Sequence, residues 1–185
     1  ATLLWFGDIL SLYAVTGLAL AAALRFRRPT ATWVLAGLAA PAVLRALWIG
    51  WPSGTPGYGP TDLLPAFGAA DGSRLFGANL AFLKERWFLA FYEGRFFRLF
   101  ALFTLGYLME RRGLFGAAAK HGTLWRRIAL AGWAIGLPAN LLLATGLSDI
   151  PLRPSSWAGV GHAAAVSIAH PALALGYCGL TAAWL

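Results

Sequence analysis

Six residues have side chains suited to chemistry and stand where such side chains are costly. Asp8, Arg45, Asn140 and His162 each fall inside a separate long apolar run, and Glu93 and Arg98 border another. A charge placed in hydrocarbon costs about 2.5–3.5 kcal/mol on insertion scales, so it is kept facing a bundle interior with a partner. Such buried ionisable groups often mark proton or substrate paths. His162 and Asp8 can take and give protons and are the candidate catalytic residues. Arg45, Asn140, Arg98 and Glu93 can hold a polar or charged group and are the candidate substrate-binding residues.

The elements that must position these residues are long and apolar. The chain of 185 residues is 59% hydrophobic and only 12% charged, with mean hydropathy +0.65. Apolar runs cover about 2–24, 31–51, 96–112, 128–147 and 157–185. A bilayer core about 30 Å thick needs ~20 apolar residues in a helix, so these runs predict about five transmembrane helices. The fold class expected is all-α, a polytopic membrane helix bundle forming one domain over 1–185. A soluble domain would have to hide several such runs in one small core, which excludes that class. The net charge of +8 is no sign of nucleic acid, because the bases stand at the ends of apolar runs, where they set orientation and touch anionic lipid. The partners expected are the lipid bilayer and other membrane subunits. Cys178 is the single cysteine, so no intrachain disulfide and no cysteine metal cluster can form. The chain lacks an initiator Met, and both its ends lie in apolar runs, which predicts a piece of a longer membrane protein.

Between the second and third runs, Pro52, Gly54, Pro56, Gly57, Gly59, Pro60 and Pro65 predict a loop over 52–74. The stretch 75–93 is apolar but broken by Lys84-Glu85-Arg86. Three adjacent charges are too costly for mid-membrane, so an interfacial amphipathic helix is expected, with Phe76, Leu80, Leu83, Trp87 and Phe91 on its buried side. Residues 113–126 read as a basic loop. Pro41 predicts a kink in the second run, and Trp48 and Trp51 at its end resemble an aromatic belt.

Loop charge then sets sidedness. Arg25, Arg27, Arg28, Arg111, Arg112, Lys120, Arg126 and Arg127 follow the first and third runs, whereas the loop after the fourth carries Arg153 alone. By the positive-inside rule the first two loops are cytoplasmic. At a rise of 1.5 Å per residue, Arg45 then lies ~9 Å, Asn140 ~10 Å and His162 ~8 Å below the outer ends of their helices, with Asp8 a turn or two inside the first. These four polar groups are expected in one layer of the outer half, with Glu93, Arg95 and Arg98 at its boundary. Two readings stay open. In one, Asp8 pairs with Arg45 and Asn140 bonds His162 across helices, so that the layer only holds the bundle together. In the other, the layer is a site.

His170 lies ~12 Å along its helix from His162 and about 80° around the axis, so the two cannot share one metal, and no metal site is predicted. His170 reads instead as a core histidine bonded to the Ser167 carbonyl that Pro171 frees. No cofactor is implied.

The stretch Gly7-Asp8-Ile9-Leu10, followed by Tyr13-Ala14 and Gly17-Leu18, resembles the signature of the bacterial YeiB-like membrane proteins. The run from Arg98 through Gly106-Tyr107-Leu108 with Arg111-Arg112-Gly113-Leu114, the Gly72-Ser73 pair and the closing Leu175-Gly176-Tyr177 are similar to that family's C-terminal domain of unknown function. The resemblance implies a multi-pass bacterial inner-membrane protein with further spans upstream. It also implies a distant relation to transmembrane acyltransferases, which pass acyl groups to extracytoplasmic sugars and use a histidine inside the bundle; His162 is the nearest candidate. The function expected is acyl-group transfer to, or transport of, a small extracytoplasmic substrate. The alternative is a non-catalytic structural or accessory subunit of a larger membrane complex.

Overall fold

A computed structural model of the chain describes residues 10–47, 93–116, 118–145 and 157–184, with Ser73, Phe76, Gly77, Leu80, Trp87, Ala90 and Phe91. Among these residues the fold is all-α. Helix α1 is Leu10–Phe26, α2 is Ala31–Leu47, α3 is Arg95–Arg111, α4 is Gly122–Thr145 and α5 is Trp157–Trp184, with a 3₁₀ turn at Ala118–His121 before α4. The described residues between 73 and 91 are also helical, and their helical state leaves open whether that segment lies at a membrane interface. Phe76, Leu80 and Phe91 are exposed while Ala90 is buried, and the Phe91 ring stacks on Phe96 at 4.7 Å. Leu83 and the triplet Lys84-Glu85-Arg86 lie outside the described residues, as do Asp8, Trp48 and Trp51.

Among the described residues two helices, where the sequence predicts about five, are long and apolar enough to cross a membrane: α4, with 24 residues, and α5, with 28. Helices α1 and α2 are apolar over the 17 residues described of each, about 25 Å at 1.5 Å per residue. Helix α3 also has 17 residues and carries Arg95, Arg98, Glu110 and Arg111. In α4 only 17% of the most apolar window is buried inside the protein, so it is not the core helix of a soluble fold. Leu130, Ile135, Leu137, Leu141 and Leu142 all stand exposed on it.

Small residues set the packing, as expected where lipid removes most of the hydrophobic drive between helices. Helices α4 and α5 are antiparallel and make the most extensive contact in the bundle. A Cβ at Gly132 would stand 2.5 Å from the Gly176 Cα and 2.6 Å from the Ala172 carbonyl oxygen, so the two backbones touch there. Helix α2 runs antiparallel to α3: Trp33 stacks on Phe100 at 6.2 Å, Gly37 meets Phe97 and Ala101, and Pro41 meets Gly94. Helix α1 joins through Tyr13 and Phe103, 5.9 Å apart, and α2 also packs on α5. Buried Thr16 and Thr104 donate to the carbonyls of Leu12 and Phe100, 2.7 and 2.8 Å away, which satisfies their hydroxyls within their own helices.

This topology separates charge. The C-terminal ends of α1 and α3 and the start of α4 share one end of the bundle, with Arg25, Arg111, Arg112, Lys120, Arg126 and Arg127 exposed there. Arg45, Glu93, Arg98 and His162 lie toward the other end.

Candidate functional site

The residues at that second end are placed by one close contact. Helix α2 buries a stripe at Gly37, Pro41 and Arg45, four residues apart, so all three face the same neighbours. Pro41 abuts Gly94, which caps α3 with φ 72, a left-handed conformation that glycine adopts without strain. The Gly94 amide donates to the Phe91 carbonyl at 3.0 Å, and the Arg98 amide donates to the Gly94 carbonyl at 3.1 Å. One turn beyond Pro41 on α2 comes Arg45, and one turn into α3 comes Arg98. Their guanidinium groups are 6% and 9% exposed as residues and lie within electrostatic reach of each other.

The Arg98 Nη1 turns back along α3 to donate to the Glu93 carbonyl at 2.9 Å, which draws the charge toward the helix start. The Glu93 carboxylate pairs with Arg95 at 2.6 Å, with both side chains partly exposed. At such exposure the pair contributes about 1 kcal/mol or less.

His162 enters from α5, within electrostatic reach of Arg45, Arg98 and Glu93. Its Nδ1 is buried and makes no hydrogen bond among the described residues, and the same holds for the Ser167 hydroxyl one to two turns deeper. Sequence reading cited Ser167 only for its carbonyl; the buried hydroxyl carries no local motif that would single it out. The contact of Gly94 with Pro41 was likewise invisible, although a glycine just before a helix is a fair signal for a positive φ.

Two expected relationships change. Asn140 does bond across helices, but to the carbonyl of Ala169 at 3.0 Å and to that of Gly136 at 2.7 Å, not to His162. Ala169 is about 10 Å along α5 from His162, and Asn140 binds α4 to α5 there, beside the Pro171 break. His170 is exposed rather than a core residue. Rotation about the α5 axis puts Ala169 and Pro171 inward and His170 out.

Arg45, Arg98 and Glu93 thus lie within electrostatic reach of His162, and Arg98 and Arg95 within reach of His170 as well, while Asn140 is bonded to the carbonyls of Gly136 and Ala169. Asp8 lies outside the described residues, so its expected pairing with Arg45 has no geometry here. Chemically, two buried guanidinium groups suit a carboxylate or phosphate, which they can grip through paired N–H donors. An imidazole with an unengaged ring nitrogen beside them suits proton transfer. Among the described residues no three His, Cys, Asp or Glu side chains gather as metal ligands.

Residues 109–185 match the model of a family described as a protein of unknown function (DUF418). That segment covers the end of α3, the 3₁₀ turn, α4 and α5, and so includes His162 and Asn140 but not Arg45, Glu93 or Arg98. No curated protein and no solved structure matches the chain.

Proposed function

We propose that this bundle belongs to a multi-pass bacterial inner-membrane protein. In it, Arg45 and Arg98 hold the anionic group of a small extracytoplasmic substrate beside His162, for acyl transfer or for transport. The observation that carries the reading is the convergence of two nearly buried guanidinium groups and an imidazole from three different helices, α2, α3 and α5. The leucine-rich outer face of α4 supports a lipid setting. The resemblance to YeiB-like proteins supports the bacterial inner membrane and, at greater distance, acyl transfer with His162 as the base. Glu93 positions the two neighbouring arginines through its carbonyl and its carboxylate. Asp8 is assigned as a partner of Arg45 and a second proton-carrying group.

Thermal unfolding of the detergent-solubilised protein, titrated with acetate and with inorganic phosphate, tests the reading. A saturable rise in melting temperature with either probe is expected, lost in Arg45→Gln and Arg98→Gln and kept in Arg127→Gln. Uptake of labelled acetate into proteoliposomes then separates transport from acyl transfer. No response to either probe would leave the cluster as a structural device, as expected of an accessory subunit.

A further inference from the structure

The opposite end of the bundle carries a second charged feature, built on a firmly packed corner between α3 and α4. Helix α3 ends in a glycine cap: the Gly113 amide donates to the Glu110 carbonyl at 2.7 Å and the Leu114 amide to the Met109 carbonyl at 3.2 Å. Leu114 packs against a small cluster of Met109, Ala118, Trp125 and Ala182. Trp125 is fully buried, donates from its indole to the Leu114 carbonyl at 3.3 Å, and stacks near Phe115 at 5.3 Å. The chain between the two helices is therefore pinned.

From this corner Arg111, Arg112, Lys120, Arg126 and Arg127 all project into the surroundings, against a single acid, Glu110. Arg25, Arg27 and Arg28 stand exposed at the same end of the bundle, at the close of α1. Exposed apolar side chains accompany them: Phe115 and Leu124 on the corner, Phe26 beside the α1 arginines, and Trp184, 88% exposed, at the end of α5. Arg111 also lies over the Tyr107 ring, 6.0 Å from its centre.

We propose that this corner is a docking surface for the phosphate headgroups of anionic phospholipid in the membrane that holds the helices. Two features together select that partner. Clustered bases next to a span attract anionic lipid, and the aromatic and leucine side chains interleaved with them suit the headgroup boundary rather than a water-facing protein or nucleic-acid contact. The arginines act as forked donors to phosphate oxygens. The pinned corner holds them in place beforehand, which lowers the entropy lost on binding. This surface is separate from the Arg45–Arg98–His162 cluster and shares with that reading only the membrane setting.

The test measures thermal unfolding of the protein in mixed micelles containing dioleoylphosphatidylglycerol or dioleoylphosphatidylcholine. The melting temperature is expected about 3 °C or more higher with the anionic lipid, and the difference shrinks at high salt. A variant carrying Arg111→Gln, Arg112→Gln, Arg126→Gln and Arg127→Gln loses the difference, whereas lysine at the same four positions keeps most of it. If the glutamine variant fails to fold, the pairs Arg111→Gln with Arg112→Gln and Arg126→Gln with Arg127→Gln, made separately, each halve the difference. Equal melting in the two lipids, an undiminished preference in the glutamine variants, or an equal rise with inorganic phosphate that the glutamine variant at the corner abolishes would overturn the proposal. Release of the protein from membranes by alkaline carbonate would instead overturn the membrane setting, and that result is read separately.

Discussion

Pro41 of α2 rests directly on the backbone of Gly94, the left-handed residue that starts α3. That contact sets the axial offset of the two helices, and with it the level at which Arg45 and Arg98 meet. It removes a helical N–H at Pro41 and makes use of the missing side chain at Gly94. The candidate cluster thus depends on a residue with no functional group.

Gly94→Ala is expected to lower stability by about 1–2 kcal/mol from the left-handed backbone alone, and by more because the new methyl would run into the Pro41 ring. Thermal unfolding in detergent reads the loss. An unchanged melting temperature would show that α3 does not start in this conformation.

Asn140→Leu is expected to cost about 1 kcal/mol, the range of cross-helix hydrogen bonds inside membranes, since it deletes the bonds to Ala169 and Gly136. Because the Asn140 amide is engaged with those two carbonyls, any response to acetate or phosphate should persist in this variant. Loss of that response with stability intact would return Asn140 to the site.

Gly132→Leu should separate α4 from α5, because even a Cβ there would lie 2.5 Å from the Gly176 Cα. The cost is expected at about 3 kcal/mol, the upper part of the overpacking range, since backbone rather than a flexible side chain must move. Gly161→Ala, where nothing lies within 4 Å of the added carbon, is the matched control and should be near neutral. A similar melting temperature for the two variants would contradict the close approach.

Cysteines placed singly at Arg28 and Arg112, in a background carrying Cys178→Ser because Cys178 is itself exposed, should resist membrane-impermeant thiol reagents in intact cells. The proposed orientation places that end in the cytoplasm, because the positive-inside rule expects clustered bases there. Ready labelling at either position would invert the orientation, and with it the extracytoplasmic placement of the arginine cluster.

The proposed Asp8–Arg45 pair predicts that removing Asp8 is costly, because it would strand Arg45. Breaking one half of a buried pair costs about 3–5 kcal/mol, so Asp8→Ala should destabilise strongly. Adding Arg45→Ala should then recover part of the loss in a double-mutant cycle. Additive losses would assign the two residues to different neighbours.

The sequence alone determined composition-level and one-dimensional properties. Unbroken apolar runs predicted helices, and α2 begins at Ala31, where its run begins. Position along the chain also predicted the gathering of bases at the α1, α3 and α4 ends, because charge at a helix end needs no knowledge of packing. Length was less legible: α4 starts at Gly122, inside the stretch read as a basic loop, because buried Trp125 anchors its first turn.

Rotation and axial offset were decided only by the tertiary structure. In a helix apolar on every side, the 3.6-residue pattern does not tell a protein-facing side from a lipid-facing one, since both are hydrophobic. Hence His170, read as a core residue, turns outward, while Ser167 and Ala169 turn in. Counting 1.5 Å per residue gave depth along each helix separately. The offset between helices comes instead from where backbones can touch, at Gly132 with Gly176 and at Gly94 with Pro41. Those contacts place Asn140 beside Ala169 and set Arg45, Arg98 and His162 within reach of one another.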